Sequence, residues 1–296
     1  MNQQNSLLKT PYRRGSADQL MVHVTELDAS HEQEVLEFLS HRPIHTVGMV
    51  GFIHDNGIVS PLNRGTFYGC RNREGQLEGV ALIGHATLLE TTTDEAAEAL
   101  AERAQACTNA YMIMGERERI NNFWDYYADA GQSMRHAARE LLFEIRWPIA
   151  ALPEVADLRQ ATPADLDLIV PVHAIMALNE SGIDPLERDP EGFRQRCARR
   201  IEQGRTWVWI ESGEIIFKVD VVSDTASVIY LEGVWTNAKH RSQGYGLRCM
   251  SQLARNFLLR TKSVCVLVNE DNRSAHKFYQ RAGYKLRAIY DTIFLN

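Results

Sequence analysis

Two glycines separated by one residue lie between a basic stretch and an amphipathic run near the C-terminal end. They are Gly244 and Gly246, within the segment HRSQGYGLRCM at residues 240–250. Glycines allow consecutive backbone N–H groups to point into one concavity, and the N-terminus of a following helix adds a positive partial charge. Such a turn suits a pyrophosphate, whereas the simplest alternative is a loop that only reverses the chain.

The spacing around the glycine pair excludes two common nucleotide-binding motifs. A dinucleotide-binding turn reads G-x-G-x-x-G, but Leu247, Arg248 and Cys249 follow Gly246, so the third glycine is missing. A P-loop requires G-K-[ST] after four intervening residues, and that continuation does not occur here. The remaining candidate ligand is the pyrophosphate of a smaller carrier.

Length and composition predict a soluble globular protein with room for two domains. The 296 residues, 45% hydrophobic and 24% charged, allow two domains of roughly 150 residues each. The net charge of −6 argues against broad binding to nucleic acids or to acidic membranes. An anionic ligand therefore needs a local basic site, which Lys239, His240, Arg241 and Arg248 supply.

The cysteines and the N-terminus predict a cytoplasmic protein without a metal. The five cysteines are scattered, lack a C-x-x-C pair and predict reduced thiols rather than disulfides or a zinc site: Cys70, Cys107, Cys197, Cys249 and Cys265. The polar N-terminus lacks the apolar core of a signal peptide, and no apolar run approaches the roughly 20 residues of a membrane span.

Two halves of the chain repeat the same pattern. Prolines in the segment 146–166 predict a boundary, with residues 1–20 as a flexible segment, 21–150 as one module and 151–296 as another. Near their ends, both halves have a helix with paired aromatics, followed by a glycine and strands. Tyr127 precedes Tyr279 by the same interval that separates Gly131 from Gly283, which favours a duplicated domain.

Hydrophobic periodicity predicts a mixed sheet flanked by helices in the second half. Thr162 as N-cap and Pro163 after it predict a helix start. The predicted order is helices at about 163–178 and 190–203, a hairpin over 206–223, a strand over 226–235, a helix after the glycine pair, a buried strand over 263–268, a helix and a final strand.

The glycine segment and the segment that follows it resemble two motifs of the GNAT (GCN5-related N-acetyltransferase) superfamily. Its R/Q-x-x-G-x-G/A signature is matched by Arg241, Gly244 and Gly246. The next motif is similar to VNEDNRSAHKFYQRAGY, in which the matching positions are Asn269, Asn272, Ala275, Tyr279, Gly283 and Tyr284. The whole chain resembles the tandem bacterial type, in which a divergent first module precedes one that binds acetyl-CoA.

The resemblance implies an α/β fold of two tandem GNAT-like domains. Each has a mostly antiparallel central sheet, and a V-shaped opening between two strands holds acetyl-CoA as co-substrate, without a metal. The residues implied to bind it are Gly233, Val234, Trp235, Thr236, Arg241, Ser242, Gln243, Gly244, Tyr245, Gly246, Leu247, Asn269 and Asn272. Val234 is the expected backbone donor to the thioester carbonyl, where a donor stabilises developing charge.

Two residues are implied to take part in the chemistry. Tyr279 is the candidate general acid for the departing thiolate, although an aromatic at this place in a helix also serves packing. Glu232 is the candidate general base for the acceptor amine, although a charge at a strand edge is also an ordinary solvated residue. Gly233 inside the strand predicts a bulge or a close approach of another group.

Ser242 stands where the family usually has glycine, and Asn237 and Ala238 stand where it usually has prolines. If Ser242 needs a positive φ, its β-carbon costs of the order of 1 kcal/mol. In the first half, the segment TTTDEAAEAL occupies the place of the pyrophosphate loop, with Thr93 as the expected helix cap and Asp94 next to it. The first module is therefore predicted not to bind the co-substrate.

The predicted activity is the transfer of an acetyl group from acetyl-CoA to a primary amine by direct attack. One alternative is a non-catalytic, regulatory acyl-CoA-binding protein, and another is an interaction protein in which both halves are scaffolds. The acceptor, a small molecule or a peptide or protein, stays open, and a homodimer is one possible assembly. Acidic residues in the loop at 179–190 are compatible with a cationic amine, or with an ordinary solvated loop.

Overall fold

A computed structural model describes residues 22–148 and 151–296. The segment 1–20, predicted to be flexible, lies outside the described residues. The described chain forms two compact units. The first contains the residues up to Leu142 together with Asn269–Asp271 and Arg287–Asn296, and the second contains Phe143–Val268 and Asn272–Leu286.

Strands and helices alternate along both units. Up to residue 145 they are β1 (His23–Glu26), α1 (Glu32–Ser40), α2 (Pro43–Asn56), β2 (Gly65–Arg71), β3 (Leu77–Gly84), β4 (Ala86–Thr91), α3 (Asp94–Gln105), β5 (Met112–Glu116), α4 (Arg117–Tyr127) and β6 (Met134–Ile145). The later ones are β7 (Leu158–Gln160), α5 (Leu166–Ser181), α6 (Pro185–Arg188), α7 (Pro190–Glu202), β8 (Thr206–Glu211), β9 (Glu214–Asp224), β10 (Val228–Thr236), α8 (Tyr245–Phe257), β11 (Ser263–Asn269), α9 (Arg273–Arg281) and β12 (Lys285–Leu295).

Each unit has a mostly antiparallel sheet with one parallel pair. In the first unit the order is β1-β2-β3-β4-β5-β12, and only β4 and β5 among these neighbours run parallel. In the second unit the order is β11-β10-β9-β8-β7, and β10 and β11 are the parallel pair. This mixed α/β architecture confirms the predicted fold class. No helix in the described ranges has the length and apolarity needed to cross a membrane.

Local signals in the second unit produce the predicted elements. The Thr162 backbone N–H donates to Asp165 Oδ2 at 2.7 Å, which caps the helical turn that leads into α5. β8 and β9 form the predicted hairpin, with Ser212 and Gly213 at φ values of +51° and +78° in its two-residue turn. Positive φ at both central positions matches the right-handed twist of the paired strands.

The last strand of the chain belongs to the first unit. Tyr290–Phe294 of β12 pair with Glu116–Met112 of β5, and Ile293 packs in the core of the first unit. The predicted division placed all of 151–296 in one module and did not include this transfer of a strand. Its cause is a long-range pairing, which no local sequence pattern records.

The two glycines that repeat between the halves have different structural roles. Gly283 has a φ of +87° after α9, as expected for a residue that ends a helix. Gly131 has no positive φ, but a β-carbon there would lie 2.4 Å from the ring of Tyr127. Close packing therefore explains one glycine, and backbone conformation explains the other.

The transfer of β12 predicts that Ile293→Ala destabilises the first unit selectively. Removing a core isoleucine side chain costs about 2–5 kcal/mol of unfolding free energy. In native-state hydrogen exchange, we expect amides of β5 and α4 to lose protection while those of β9 and β10 keep it. Leu286→Ala, at an exposed position of the same strand, is the control. Equal loss of protection in both units would contradict the assignment.

Candidate functional site

The strands β10 and β11 separate in the second unit. Their parallel pairing runs from Val228 and Ser263 to Leu231 and Val266. Beyond Leu231, β10 continues to Thr236 along the opposite neighbour β9. The backbone of β10 on the β11 side is therefore not paired with β11 where the two strands part.

A β-bulge lies on β10 at the point of separation. Glu232 pairs with Asp220 and Trp235 pairs with Lys218, so two residues of β10 lie opposite one residue of β9. Gly233 in the bulge has a φ of +61°. A β-carbon there would lie 2.8 Å from Asp220 Oδ2, so both the backbone conformation and the available space require glycine.

The loop after β10 has the backbone conformation of an anion-binding turn. Ser242 and Gly244 have φ values of +62° and +81°, and α8 begins at Tyr245. The first N–H groups of a helix have no partner within the helix, so they are available to an anion. Ser242 therefore has the positive φ that a glycine would adopt without strain, and its β-carbon costs about 1 kcal/mol there.

The side chain of Asn237 holds this loop in place. Asn237 Nδ2 donates to the backbone oxygen of Ile215 at 3.2 Å, and Asn237 Oδ1 accepts from the Lys239 backbone N–H at 3.1 Å. A β-carbon on Gly246 would lie 2.8 Å from Thr236 Oγ1, which shows how closely α8 approaches the end of β10. Asn237 thus fixes the turn by side-chain hydrogen bonds.

Most of the basic residues expected at the loop have protein partners. Lys239 forms an ion pair with Glu214 at 2.9 Å. The Arg248 guanidinium donates to the backbone oxygens of Pro153 and Glu154 at 3.1 and 2.9 Å. Arg241 is exposed on the loop, and its Nε donates to the Thr236 backbone oxygen at 3.0 Å. Lys239 and Arg248 are therefore engaged by protein groups, while Arg241 stays exposed on the loop.

Tyr279 lies on α9 in an aromatic cluster. Its side chain is buried, and its ring packs against Phe143, Phe278 and Tyr284 at centroid distances of 6.1, 5.1 and 5.5 Å. Burial raises the pKa of Tyr279 well above its ordinary value. The phenol consequently keeps its proton throughout the physiological pH range.

Glu232 is exposed beside the bulge. The surrounding protein partly desolvates its carboxylate and raises its pKa; Arg200 and Lys218 oppose this shift, while Asp220 reinforces it. A carboxylate with a raised pKa is a stronger base than an ordinary glutamate. The position is therefore compatible with binding an ammonium group and with accepting a proton.

A buried charged cluster under the bulge was not predicted. Asp220 is fully buried; it accepts a hydrogen bond from Thr206 Oγ1 at 2.7 Å, and its Oδ2 lies 2.6 Å from His173 Nε2. The ammonium group of buried Lys218 donates to the same oxygen, and the Arg200 guanidinium lies 3.5 Å from it. We call Asp220, Lys218, His173, Arg200 and Thr206 the Asp220 cluster.

The electrostatics of the Asp220 cluster favour an ionised carboxylate. Burial opposes ionisation, but Lys218, His173 and Arg200 together hold the pKa of Asp220 well below its usual value. Burial lowers the pKa of Lys218, and Asp220 opposes that shift. Two charged residues, Lys218 and Asp220, separated by one residue in the apolar segment EIIFKVDVVS were the available sequence signal, because alternate strand residues share a face.

The two predicted asparagines differ in position. Asn272 caps α9, because its Oδ1 accepts from the Ala275 backbone N–H at 3.1 Å and from Ser274 Oγ at 2.9 Å. Asn269 ends β11 and belongs to the first unit, where its Oδ1 accepts from the Asp271 backbone N–H at 2.9 Å. The structure thus gives Asn272 a capping role, and contact with a co-substrate stays a prediction for both residues.

Two acidic residues between α5 and α7 also cap helices. Asp184 accepts from the Leu186 backbone N–H at 2.8 Å, and Asp189 accepts from the Gly192 backbone N–H at 3.0 Å. Asp189 in addition pairs with Arg196 at 3.0 Å. Local helix stabilisation therefore accounts for part of the acidic character of this segment.

Residues 172–284 match the sequence profile of the family described as Acetyltransferase (GNAT) family. The second unit carries a GNAT domain. This confirms the resemblance found in the glycine motif and in the motif that follows it. No curated protein sequence matches the chain significantly.

Solved structures extend the GNAT likeness over both units. A GNAT-family acetyltransferase from Colwellia psychrerythraea aligns with a TM-score of 0.58 and 13% identity, over 93% of this chain and all of that one. A tandem GNAT protein from the clavulanic acid biosynthesis pathway aligns with 0.54 and 14%, over 92% and 98%. A GCN5-related N-acetyltransferase from Sphaerobacter thermophilus aligns with 0.57 and 12%, over 93% and 95%. At these identities the likeness shows the fold alone.

In the first unit the parallel strands also separate, and ion pairs form just beyond the end of their pairing. The parallel pairing of β4 and β5 ends at Leu88 and Met114. Just beyond, buried Glu90 is bound by Arg42 and Arg119, both at 3.0 Å, and Arg42 also binds Glu116 at 2.5 Å. Thr93 then caps α3, as predicted, with acidic residues in its first turn. In the GNAT domain, exposed Glu232 directly follows Leu231, the last residue of β10 in the parallel pairing, and a positive-φ loop precedes α8.

The Asp220 cluster predicts a large loss of stability in Asp220→Asn. Removing one charge from a buried network leaves the others uncompensated, which costs about 3–5 kcal/mol of unfolding free energy. Asp224→Asn, which removes a partly exposed partner of Arg260 on the same strand, is expected to cost less than about 1 kcal/mol. Urea unfolding monitored by circular dichroism measures both.

The same pair of variants gives a pH dependence. Because the folded-state pKa of Asp220 is depressed, its stabilising contribution is present above the unfolded value of about 3.9 and is lost as the pH falls toward the folded value. The difference between wild type and Asp220→Asn should therefore shrink below about pH 4. A difference that is constant between pH 3 and 7 would show that Asp220 contributes by shape rather than by charge.

Proposed function

We propose that the protein transfers an acetyl group from acetyl-CoA to a primary amine of an acceptor, and that the GNAT domain of the second unit carries the reaction. The GNAT fold supports acyl transfer from acetyl-CoA in general. The observation that carries the proposal is the combination of the Gly233 bulge with the positive-φ loop at Ser242 and Gly244. Together they present two sets of backbone N–H groups along one edge of β10.

The residues present fit a molecule that has a pyrophosphate and an extended amide arm. The amides of Arg241–Leu247 would hold the pyrophosphate at the start of α8, where the helix dipole adds about 0.3–1 kcal/mol. The backbone of Gly233–Thr236 would bond the arm as an added strand does, with Asn272 near the start of α9. The Val234 N–H would donate to the thioester carbonyl. The thioester supplies an acyl group that an amine can attack.

We propose that Tyr279 stabilises the departing sulfur as a hydrogen-bond donor. A buried phenol with a raised pKa is protonated at every working pH, so its O–H is always available. The same burial makes a lasting phenolate unfavourable. The proton that ends on the thiol sulfur therefore comes from the attacking amine. Tyr279 donates its own proton to the sulfur only as it receives one from the amine side, so the phenol stays neutral.

Glu232 is the proposed carboxylate for the acceptor amine. It is exposed beside the bulge, two residues before Val234, and Arg200 and Lys218 oppose the desolvation that raises its pKa. The positive charge of an ammonium group bound beside Glu232 would favour the ionised form of its carboxylate. The first unit has ion-paired Glu90 shortly after its parallel pairing ends and no residue with positive φ in the described loop between β4 and α3, so we propose that it does not bind acetyl-CoA and instead has a structural role.

Gly244→Glu is predicted to abolish coenzyme A binding. The variant adds a side chain and a negative charge to the proposed pyrophosphate loop. For the wild type, coenzyme A at a hundred times its Kd should stabilise the protein by about 2.7 kcal/mol, which raises the Tm. Gly75→Glu is the matched control: Gly75 has the same φ of +81° and likewise no atom near its added β-carbon, but lies in the first unit. Equal Tm shifts in both variants would refute the loop assignment.

Tyr279→Phe is predicted to lower thiol release from acetyl-CoA by about 100-fold, the usual effect of removing one donor to developing charge. The assay uses a panel of small amines, polyamines and peptides. Tyr127→Phe, at the equivalent buried tyrosine of the first unit, should retain full activity. Undiminished activity of Tyr279→Phe would remove this role. Coenzyme A binding without thiol release from any amine would instead favour the regulatory acyl-CoA-binding alternative.

A further inference from the structure

A histidine is part of the Asp220 cluster under the bulge. His173 lies on α5, with its side chain 14% exposed, and its ring contacts Phe193 of α7. Its Nε2 lies 2.6 Å from Asp220 Oδ2. We propose that His173 accepts the proton that leaves the acceptor amine and that Asp220 positions its imidazole; this inference rests on the proposed acetyl transfer.

The partners of Asp220 determine which nitrogen of His173 can act as a base. An ionised carboxylate only accepts hydrogen bonds, so the short contact with Asp220 requires a proton on His173 Nε2. Lys218 and Thr206 also donate to Asp220, which keeps its carboxylate ionised. In the neutral imidazole, Nδ1 then carries the lone pair. The Asp220 cluster thus fixes the tautomer and the orientation of the base.

The Asp220 cluster also connects His173 to the proposed reacting atoms. A β-carbon on Gly233 would meet Asp220 Oδ2 at 2.8 Å and Lys218 Nζ at 3.1 Å, so the carboxylate lies directly against the backbone of the bulge. Gly233 is flanked by Glu232 and Val234, the proposed contacts of the amine and the thioester. Asp220 therefore contacts both His173 and the backbone of the bulge, which places His173 next to this part of β10.

The proton balance requires such an acceptor. An amine arrives as R–NH₃⁺ and must lose one proton before its nitrogen can attack, and this proton passes to His173 Nδ1 directly or through one water. The C–N bond then forms while the C–S bond breaks, and the second proton of the nitrogen ends on the thiol sulfur. The imidazolium finally releases its proton to solvent, so the net products are amide, thiol and one proton.

The groups that face His173 keep it neutral before the reaction. Burial and Lys218 lower the pKa of His173, Asp220 opposes them, and Arg200 lowers it further. The Cys197 thiol on α7 is buried with a raised pKa, so it stays uncharged. Glu232 is the remaining charged group near Arg200. A neutral imidazole at pH 7 is able to accept a proton and returns it readily to solvent.

The test compares His173→Gln with Glu232→Gln in steady-state kinetics from pH 5 to 9. The glutamine amide still donates to Asp220 but is not a base. At pH 7 we expect His173→Gln to lower kcat by about 100-fold with KM little changed. The wild-type rise of kcat/KM with an apparent pKa below about 6.5 should disappear in this variant. Glu232→Gln is expected mainly to raise KM and to keep that rise.

Two results would overturn the assignment of His173. The first is a His173→Gln enzyme with kcat within twofold of wild type and the same pH profile. The second is loss of the pH-dependent rise in Glu232→Gln alone, which would make Glu232 the proton acceptor. If the wild type itself releases no thiol with any amine, the proposed function fails, and that outcome is distinct from both.

Nitrogen NMR of the histidine side chains provides a readout that does not depend on activity. We expect the His173 signals, identified by their absence in His173→Gln, to show a neutral ring at pH 7 with the proton on Nε2. A proton on Nδ1, or a charged ring at pH 7, would overturn the proposal. An unchanged Tm shift with coenzyme A in His173→Gln verifies that the variant keeps its fold.

Discussion

The carboxylate of Asp220 is fully buried and is contacted by side chains from α5, α7, β8 and from its own strand, β9. Burying an unpaired charge is so unfavourable that each of these side chains must keep its contact with the carboxylate for the fold to be stable. The bulge of β10 lies directly over the same carboxylate, and only glycine fits there. The geometry of the β10 edge, on which the proposed binding and chemistry depend, is consequently set by an ionic cluster that itself need not touch the acyl group.

A comparison of the two units shows how one fold can lead to different sites. Both units have a parallel strand pair that separates after a few residues. In the first unit, Arg42 and Arg119 bind Glu90 at the separation and the next helix begins with acidic residues. In the second, Glu232 is exposed and the next helix begins after a loop with positive φ. Since the strands are alike, the difference in proposed function follows from the side chains and the loop.

The features that the sequence predicted correctly depend on residues close together in the chain. Thr162 and Thr93 cap helices because a side chain reaches backbone or side-chain groups three residues away. Ser212 with Gly213 makes a tight turn for the same local reason. The loop around Gly244 belongs to this class as well, because φ is a property of single residues and a helix start follows within one turn. Residue types at fixed short intervals are enough to specify such structures.

The features that the sequence did not predict depend on distant partners. β12 pairs with β5, which is more than half of the chain away in sequence. The sequence of neither strand indicates which strand is its partner. The sequence shows Lys218 and Asp220 as two charges on one face of an apolar strand. This pattern indicates a buried charged network but does not identify the other residues in it. His173 lies in an apolar helix sequence where a histidine has no evident partner until α5 packs against β9. A buried strand with alternating opposite charges therefore justifies a search for a histidine or arginine on the helices that cover it, because a buried carboxylate must be satisfied by whatever packs over it.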